Sequence, residues 1–182
     1  DSKLSSSKLL DISGQEYDLN TLGSYLVFLD EGGLDHPDAI ERRNSYEGFT
    51  SEEYYKEVSN ILRKLSKFFN KRILVAAHPK SSYFENKYLG TTMFKGNTSL
   101  LIKHSSMVLT HKSTALNLGI YFKKNILLLK TSFCSKNYLK DQKKLAKMFK
   151  VKLISLKSTD NLSLQNINQF IINKKKDRIL RF

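Results

Sequence analysis

Only one cysteine, Cys134, occurs in the 182 residues, so no disulfide can form within the chain, and no Cys/His spacing matches a structural zinc site. Long apolar runs are also lacking: nothing approaches the roughly 18 residues needed to cross a bilayer, and the N-terminus has no signal-peptide stretch. These absences lead to the expectation of a soluble, cytoplasmic chain, at most peripheral at the inner membrane face. Its 8 glycines form no dinucleotide fingerprint, no Walker loop and no nucleophile elbow. Arginine is scarce, 6 against 25 lysines, which suits bidentate reading of bases poorly and counts against nucleic acid as a partner. Both prolines follow histidines, at His36-Pro37 and His78-Pro79.

What is present is a chain of one-domain size with 40% hydrophobic residues, enough for a real core. It begins at Asp1 rather than Met, which reads as a fragment of a longer protein or, second, as a processed chain. Charge is divided sharply. Residues 1 to 60 carry 5 Lys/Arg against 13 Asp/Glu, a balance of −8, whereas residues 61 to 182 carry 26 against 4, a balance of +22. Such a basic segment attracts phosphates, whether of nucleotides, anionic lipid or nucleic acid.

Residues 1 to 23 read as a polar lead-in or linker, 24 to 173 as the domain proper, and 174 to 182 as a basic tail. Tyr25 to Leu29 is an unalternating apolar run closed by Asp30 and Gly32-Gly33, hence a buried strand. Thr50 or Ser51 with Glu52 and Glu53 opens a helix whose apolar positions, Tyr54 through Phe69, recur at helical spacing until Asn70. Arg72 to Ala77 is a second strand, followed by a short run at Thr91 to Phe94 and one or two helical turns at Thr98 to His104. Met107 to Thr110, Asn125 to Leu129 and Val151 to Leu156 read as further strands. Ala115 to Tyr121, Tyr138 to Phe149 and residues 161 to 173 read as helices.

Unalternating strands separated by helices predict a Rossmann-like, doubly wound α/β fold, a mostly parallel sheet with helices on both faces. Ligands of such sheets lie beyond the carboxyl ends of the strands, near the point where strand order reverses. The residues there are Asp30-Glu31-Gly32, His78-Pro79-Lys80, His111-Lys112-Ser113-Thr114 and Lys130-Thr131-Ser132.

Ser113 and Thr114 stand between a strand and a helix, where free amides and the helix dipole favour a phosphate. Simple capping of that helix by Ser113 is the plainer alternative. His78, with its backbone pinned by Pro79, would donate to a phosphate or act as a general acid, or else bond a loop carbonyl. Lys80 would add charge or sit in solvent. Asp30 and Glu31 would supply a base, bind a hydroxyl, ligate a metal, or merely cap the turn at Gly32. Asp35-His36-Pro37-Asp38 reads as a plain turn or as a loop that brings His36 near an acceptor, His104 as an exposed turn, and Tyr54, Tyr55, Phe68 and Phe69 as core contacts and rim. The lysines of the 138–149 helix would face solvent or anionic lipid.

In order, strand–DEGG, helix, strand–AAHPK, short helix, strand–THKSTAL and strand–LLLK resembles the C-terminal Rossmann-like domain of GT-B glycosyltransferases over residues 24 to about 156. The nearest likeness is to bacterial surface-polysaccharide and sialyltransferase-like families, whose acidic-acidic-Gly, His-Pro and Ser-Ser/Thr motifs match Asp30-Glu31-Gly32, His78-Pro79 and Ser113-Thr114. The resemblance implies an inverting transfer, without metal or other cofactor, from a CMP-, CDP- or UDP-linked sugar to a glycan acceptor, as in capsule or lipopolysaccharide synthesis. Asp30 or Glu31 would deprotonate the acceptor. His78, Pro79, Lys80, His111, Lys112, Ser113 and Thr114 would hold the nucleotide, and a partner domain of the same protein would precede this one. In that family the acidic motif lies far upstream of His-Pro, whereas here one strand-helix-strand step separates them. Polyol-phosphate transferases of the same fold share similar His-centred motifs and are the alternative that the resemblance leaves open. A nucleic-acid-binding module and a catalytically silent interaction domain are the other classes compatible with the residues.

Overall fold

Every residue of β3 (Tyr25–Leu29) is buried, as an apolar run without alternation requires when both faces of a strand are covered. The computed structural model, which supplies the coordinates, describes residues 8–32, 50–81, 85–132, 136–163 and 165–172. Before β3 come β1 (Lys8–Leu10) and β2 (Glu16–Asp18). After it follow α1 (Ser51–Phe69), β4 (Arg72–Ala76), β5 (Thr92–Phe94), α2 (Thr98–His104), β6 (Met107–Thr110), α3 (Leu116–Tyr121) and β7 (Asn125–Leu128). The described chain closes with α4 (Lys136–Met148), α5 (Leu156–Thr159) and β8 (Ile171–Ile172).

The main sheet has the order β5-β4-β3-β6-β7-β8. All neighbours are parallel except β7 and β8, which pair antiparallel through Ile126 with Ile172 and Leu127 with Ile171. The chain therefore starts in the middle at β3, builds outward to β5, then returns to lay β6 on the other side. Strand order reverses between β3 and β6, and the crevice of a doubly wound sheet lies at that point.

Two packed layers sandwich the sheet. Leu26 and Phe28 face α1, whose Tyr54, Tyr55, Val58, Ile61, Leu62 and Leu65 form the buried stripe. Tyr25, Val27 and Leu29 face the other way, into a core shared with α2, α3 and α4 through Leu101, Leu116 and Ala146. α1 is bounded as its sequence predicts. Thr50 Oγ1 accepts from Glu53 N at 3.2 Å, the Glu53 carboxylate accepts from Thr50 N at 3.0 Å, and Asn70 ends the helix at φ 50°. Those bonds from Thr50 hold the Glu53 carboxyl below its usual pKa. Thr50→Ala is expected to cost about 1 kcal/mol, read as a lowered urea midpoint with unchanged m.

Tyr25 donates its hydroxyl to Leu101 O at 2.9 Å, and burial pushes the phenol from 10.0 up to about 12. A raised folded-state pKa means that the unfolded chain loses this proton first. The contribution is complete below pH 10 and is lost as pH climbs towards about 12. Tyr25→Phe should flatten that part of the stability profile, measured by urea unfolding across the alkaline range.

Three expectations give way. Part of the lead-in is structured: β1 and β2 form an antiparallel hairpin, and Leu9, Leu19 and Leu22 enter the core. The connecting turn lies along the outer edge of β5, with Ile12 N donating to Met93 O at 2.9 Å, which covers an otherwise open sheet edge. Val151 to Leu156 is not a full strand. Ile154 alone bridges to Leu129, because Ser155 and Ser158 form a reciprocal capping box that turns the chain into α5. The expected helix at 161–173 is instead a 3₁₀ turn at Ile167–Gln169 and β8, whose β-branched residues complete the edge of β7. The 174–182 tail lies outside the described residues.

Candidate functional site

Parallel pairing brings the ends of β3, β4, β6 and β7 to one edge of the sheet, and with them the four loops named from the sequence. Asp30 is 3% exposed and bonded on both oxygens. Oδ1 accepts from Gly32 N at 3.0 Å and from the Tyr88 hydroxyl at 2.6 Å, and Oδ2 accepts from His78 N at 3.1 Å. Gly32 has φ 76°, the left-handed backbone that lets its amide turn back onto Asp30.

Glu31 points the other way. Oε1 accepts from Lys112 N at 2.5 Å and lies 3.5 Å from Thr110 Oγ1, while Oε2 accepts from the Tyr138 hydroxyl at 2.5 Å. The adjacent carboxylates thus fasten the two flanking loops to the central strand, Asp30 holding the His78 loop and Glu31 the Lys112 loop. Lys112 is fixed further, its Nζ 3.0 Å from Asp141 and 4.7 Å from the centre of the Tyr138 ring. That lysine holds the Asp141 carboxyl below its usual pKa.

His78 is half-buried. Its Nδ1 accepts from Lys80 N at 3.3 Å, so the neutral ring carries its proton on Nε2. Pro79 and Lys80 are exposed in the turn closed by Ser81 N on His78 O at 3.1 Å.

His111 corrects an expectation. Placed by its sequence among the phosphate ligands, it is 3% exposed and its ring lies in the α1-side core, edge-on to Phe28 with centroids 5.5 Å apart. Nδ1 donates to Leu129 O at 2.8 Å, which leaves Nε2 to accept from the Tyr54 hydroxyl at 3.2 Å. Both ring nitrogens are thus engaged within the protein, beneath the loops of the candidate edge.

Ser113 behaves partly as a cap, its Oγ accepting from Ala115 N at 3.3 Å. Of the amides from Lys112 to Ala115, three donate within the protein: Lys112 N to Glu31, Ser113 N to Thr110 Oγ1 at 3.2 Å, and Ala115 N to Ser113. What this loop presents outward is therefore hydroxyl chemistry at Ser113 and at exposed Thr114, more than a row of amides.

A groove of about 820 Å³ opens beside the β7 loop, not over His78 or Ser113. Lys130, Thr131 and Ser132 line it together with Lys56 and Glu57 of α1 and Lys157 of α5. Glu57 accepts from Ser132 N at 3.0 Å, which fixes the lip of this groove. Asp35-His36-Pro37-Asp38 lies outside the described residues. Tyr54, Tyr88 and Tyr138, which hold the three key side chains, were not signalled by any motif, since each acts on a partner 57 or more positions away.

Sheet order and loops together define a Rossmann-like α/β domain with a candidate ligand edge at its switch point. No protein-family model matches the chain, and no curated protein or solved structure matches it significantly. Among the described residues, no helix is long and apolar enough to cross a membrane.

Proposed function

We propose that this chain is the donor-binding part of a glycosyltransferase and holds a nucleotide-linked sugar at the carboxyl edge of the sheet. The observation that carries the reading is the fastening of two loops across the switch point: Asp30 to His78 on one side, Glu31 to Lys112 on the other. A ligand bridging β4 and β6 meets His78 Nε2–H, the Lys80 ammonium and the Ser113 and Thr114 hydroxyls. All are donors, as a pyrophosphate requires. The groove beside Lys130 gives room on the same edge for the rest of the ligand.

The resemblance to sialyltransferase-like enzymes assigns the acceptor's base to Asp30 or Glu31. The bonding favours a different use of both carboxylates, as fixed anchors of the donor loops, and leaves the base to be sought elsewhere in the whole protein. Transfer to a surface glycan would then need a second domain across the cleft, so this chain alone should bind nucleotide and turn over poorly. Titration with CMP, CDP and UDP, with His78→Ala as the control, tests the reading.

A further inference from the structure

We propose that the sheet face covered by α2, α3 and α4 docks on an anionic phospholipid surface, independently of the donor site. Residues 98–150, which supply these helices, contain 11 lysines, no arginine and one carboxylate, Asp141. Of the lysines, Lys112 and Lys130 belong to the carboxyl edge and Lys124 is bonded to Ser105 O at 2.7 Å, which leaves the others for this face. Asp141 is already committed, 3.0 Å from Lys112 and 3.9 Å from Lys144. The opposite face is different, with Glu52, Glu53 and Glu57 on α1. The α2-α3-α4 layer is thus almost purely cationic, while the β1–β2 hairpin that packs into the same core carries the carboxylates Asp11, Glu16 and Asp18.

Within α4, Lys136, Lys140, Lys143, Lys144 and Lys147 are all exposed and fall within an arc of about 100° at helical spacing, opposite buried Gln142 and Ala146. Helix-dipole complementarity explains a lysine in the last turn, such as Lys147, but disfavours Lys136 and Lys140 in the first turns. Like charges at i, i+4 repel, so this stripe destabilises its own helix unless anions neutralise it.

Two large apolar residues stand exposed on the same layer, Tyr121 (74%) closing α3 and Met148 (60%) closing α4. Helices that follow parallel strands run back along them, so both residues lie towards the amino edge of the sheet. Lysines flanking an exposed tyrosine and methionine are the composition of a surface that sits at headgroup depth. Docking there leaves the carboxyl edge, with His78 and Ser113, open to substrate. Lysine without arginine favours lipid over duplex recognition, in which bidentate arginine leads.

The test is co-sedimentation of the chain with vesicles of phosphatidylcholine alone and of phosphatidylcholine with phosphatidylglycerol in equal parts. Binding is expected only to the mixed vesicles. Replacing Lys140, Lys143, Lys144 and Lys147 together by Gln should weaken it on the order of 500-fold, at about fivefold per lysine, whereas the same four changed to Arg should retain it. Tyr121→Ser with Met148→Ser should weaken vesicle binding about tenfold and leave any duplex DNA binding unchanged. The proposal is overturned if wild type ignores the mixed vesicles or if the Gln variant binds like wild type. It is equally overturned if the Tyr121/Met148 variant binds vesicles undiminished, since the face would then be a general polyanion surface.

Discussion

Asp30→Ala is expected to lower stability by about 4 kcal/mol, a loss of roughly 10 °C in Tm for a chain of this size. The substitution removes the acceptor for Gly32 N, His78 N and the Tyr88 hydroxyl together. Each is a bond to a buried carboxylate, and the three are lost together. Asp30→Asn should cost less, about 2 kcal/mol, because it keeps the shape and one acceptor oxygen. Whichever way the amide is turned, its NH₂ faces a backbone N–H, of His78 or of Gly32, so it does not restore the native arrangement. Tyr88→Phe combined with Asp30→Ala should cost clearly less than the sum of the two, since both act on one bond. A solvent-facing catalytic base predicts the opposite pattern, with stability unchanged and activity alone lost.

His111→Ala should destabilise by about 3 kcal/mol. The ring's bonds to Leu129 O, which keeps Gln142 Nε2 at 2.9 Å, and to the Tyr54 hydroxyl are lost, and the ring leaves a void beside Phe28 in a closely packed core. Thermal or urea unfolding reads the effect directly. Nucleotide affinity, measured where the variant remains folded, should fall only as far as the loops above the ring shift. A direct phosphate ligand would show the reverse, a large loss of affinity with little loss of stability.

These two residues show what was legible in the chain and what was not. Unalternating runs at Tyr25–Leu29 and Arg72–Ala76 identified buried parallel strands because burial on both faces leaves no polar positions. Strand ends then located Asp30, His78 and Ser113 on one edge. Their roles were not legible, because each depends on partners remote in sequence: Tyr88 is 58 positions from Asp30, and Tyr138 is 107 from Glu31. His111 follows its strand as a ligand-binding residue would, and only tertiary packing reveals that its ring turns inward under Tyr54. The β1–β2 hairpin was hidden by its polarity, since three-residue strands alternate too briefly to show a pattern and only Leu9 of β1 is buried. At Val151 to Leu156 the apolar run reads as a strand, yet a local serine capping box prevails beyond Ile154.

Calorimetric titration of the wild-type chain with CMP, CDP and UDP tests the donor-binding reading most directly. Saturable binding of at least one of them is expected, weakened about tenfold or more by His78→Ala without a matching loss of Tm. Absence of binding by all three to the folded wild-type chain at millimolar concentration would contradict it.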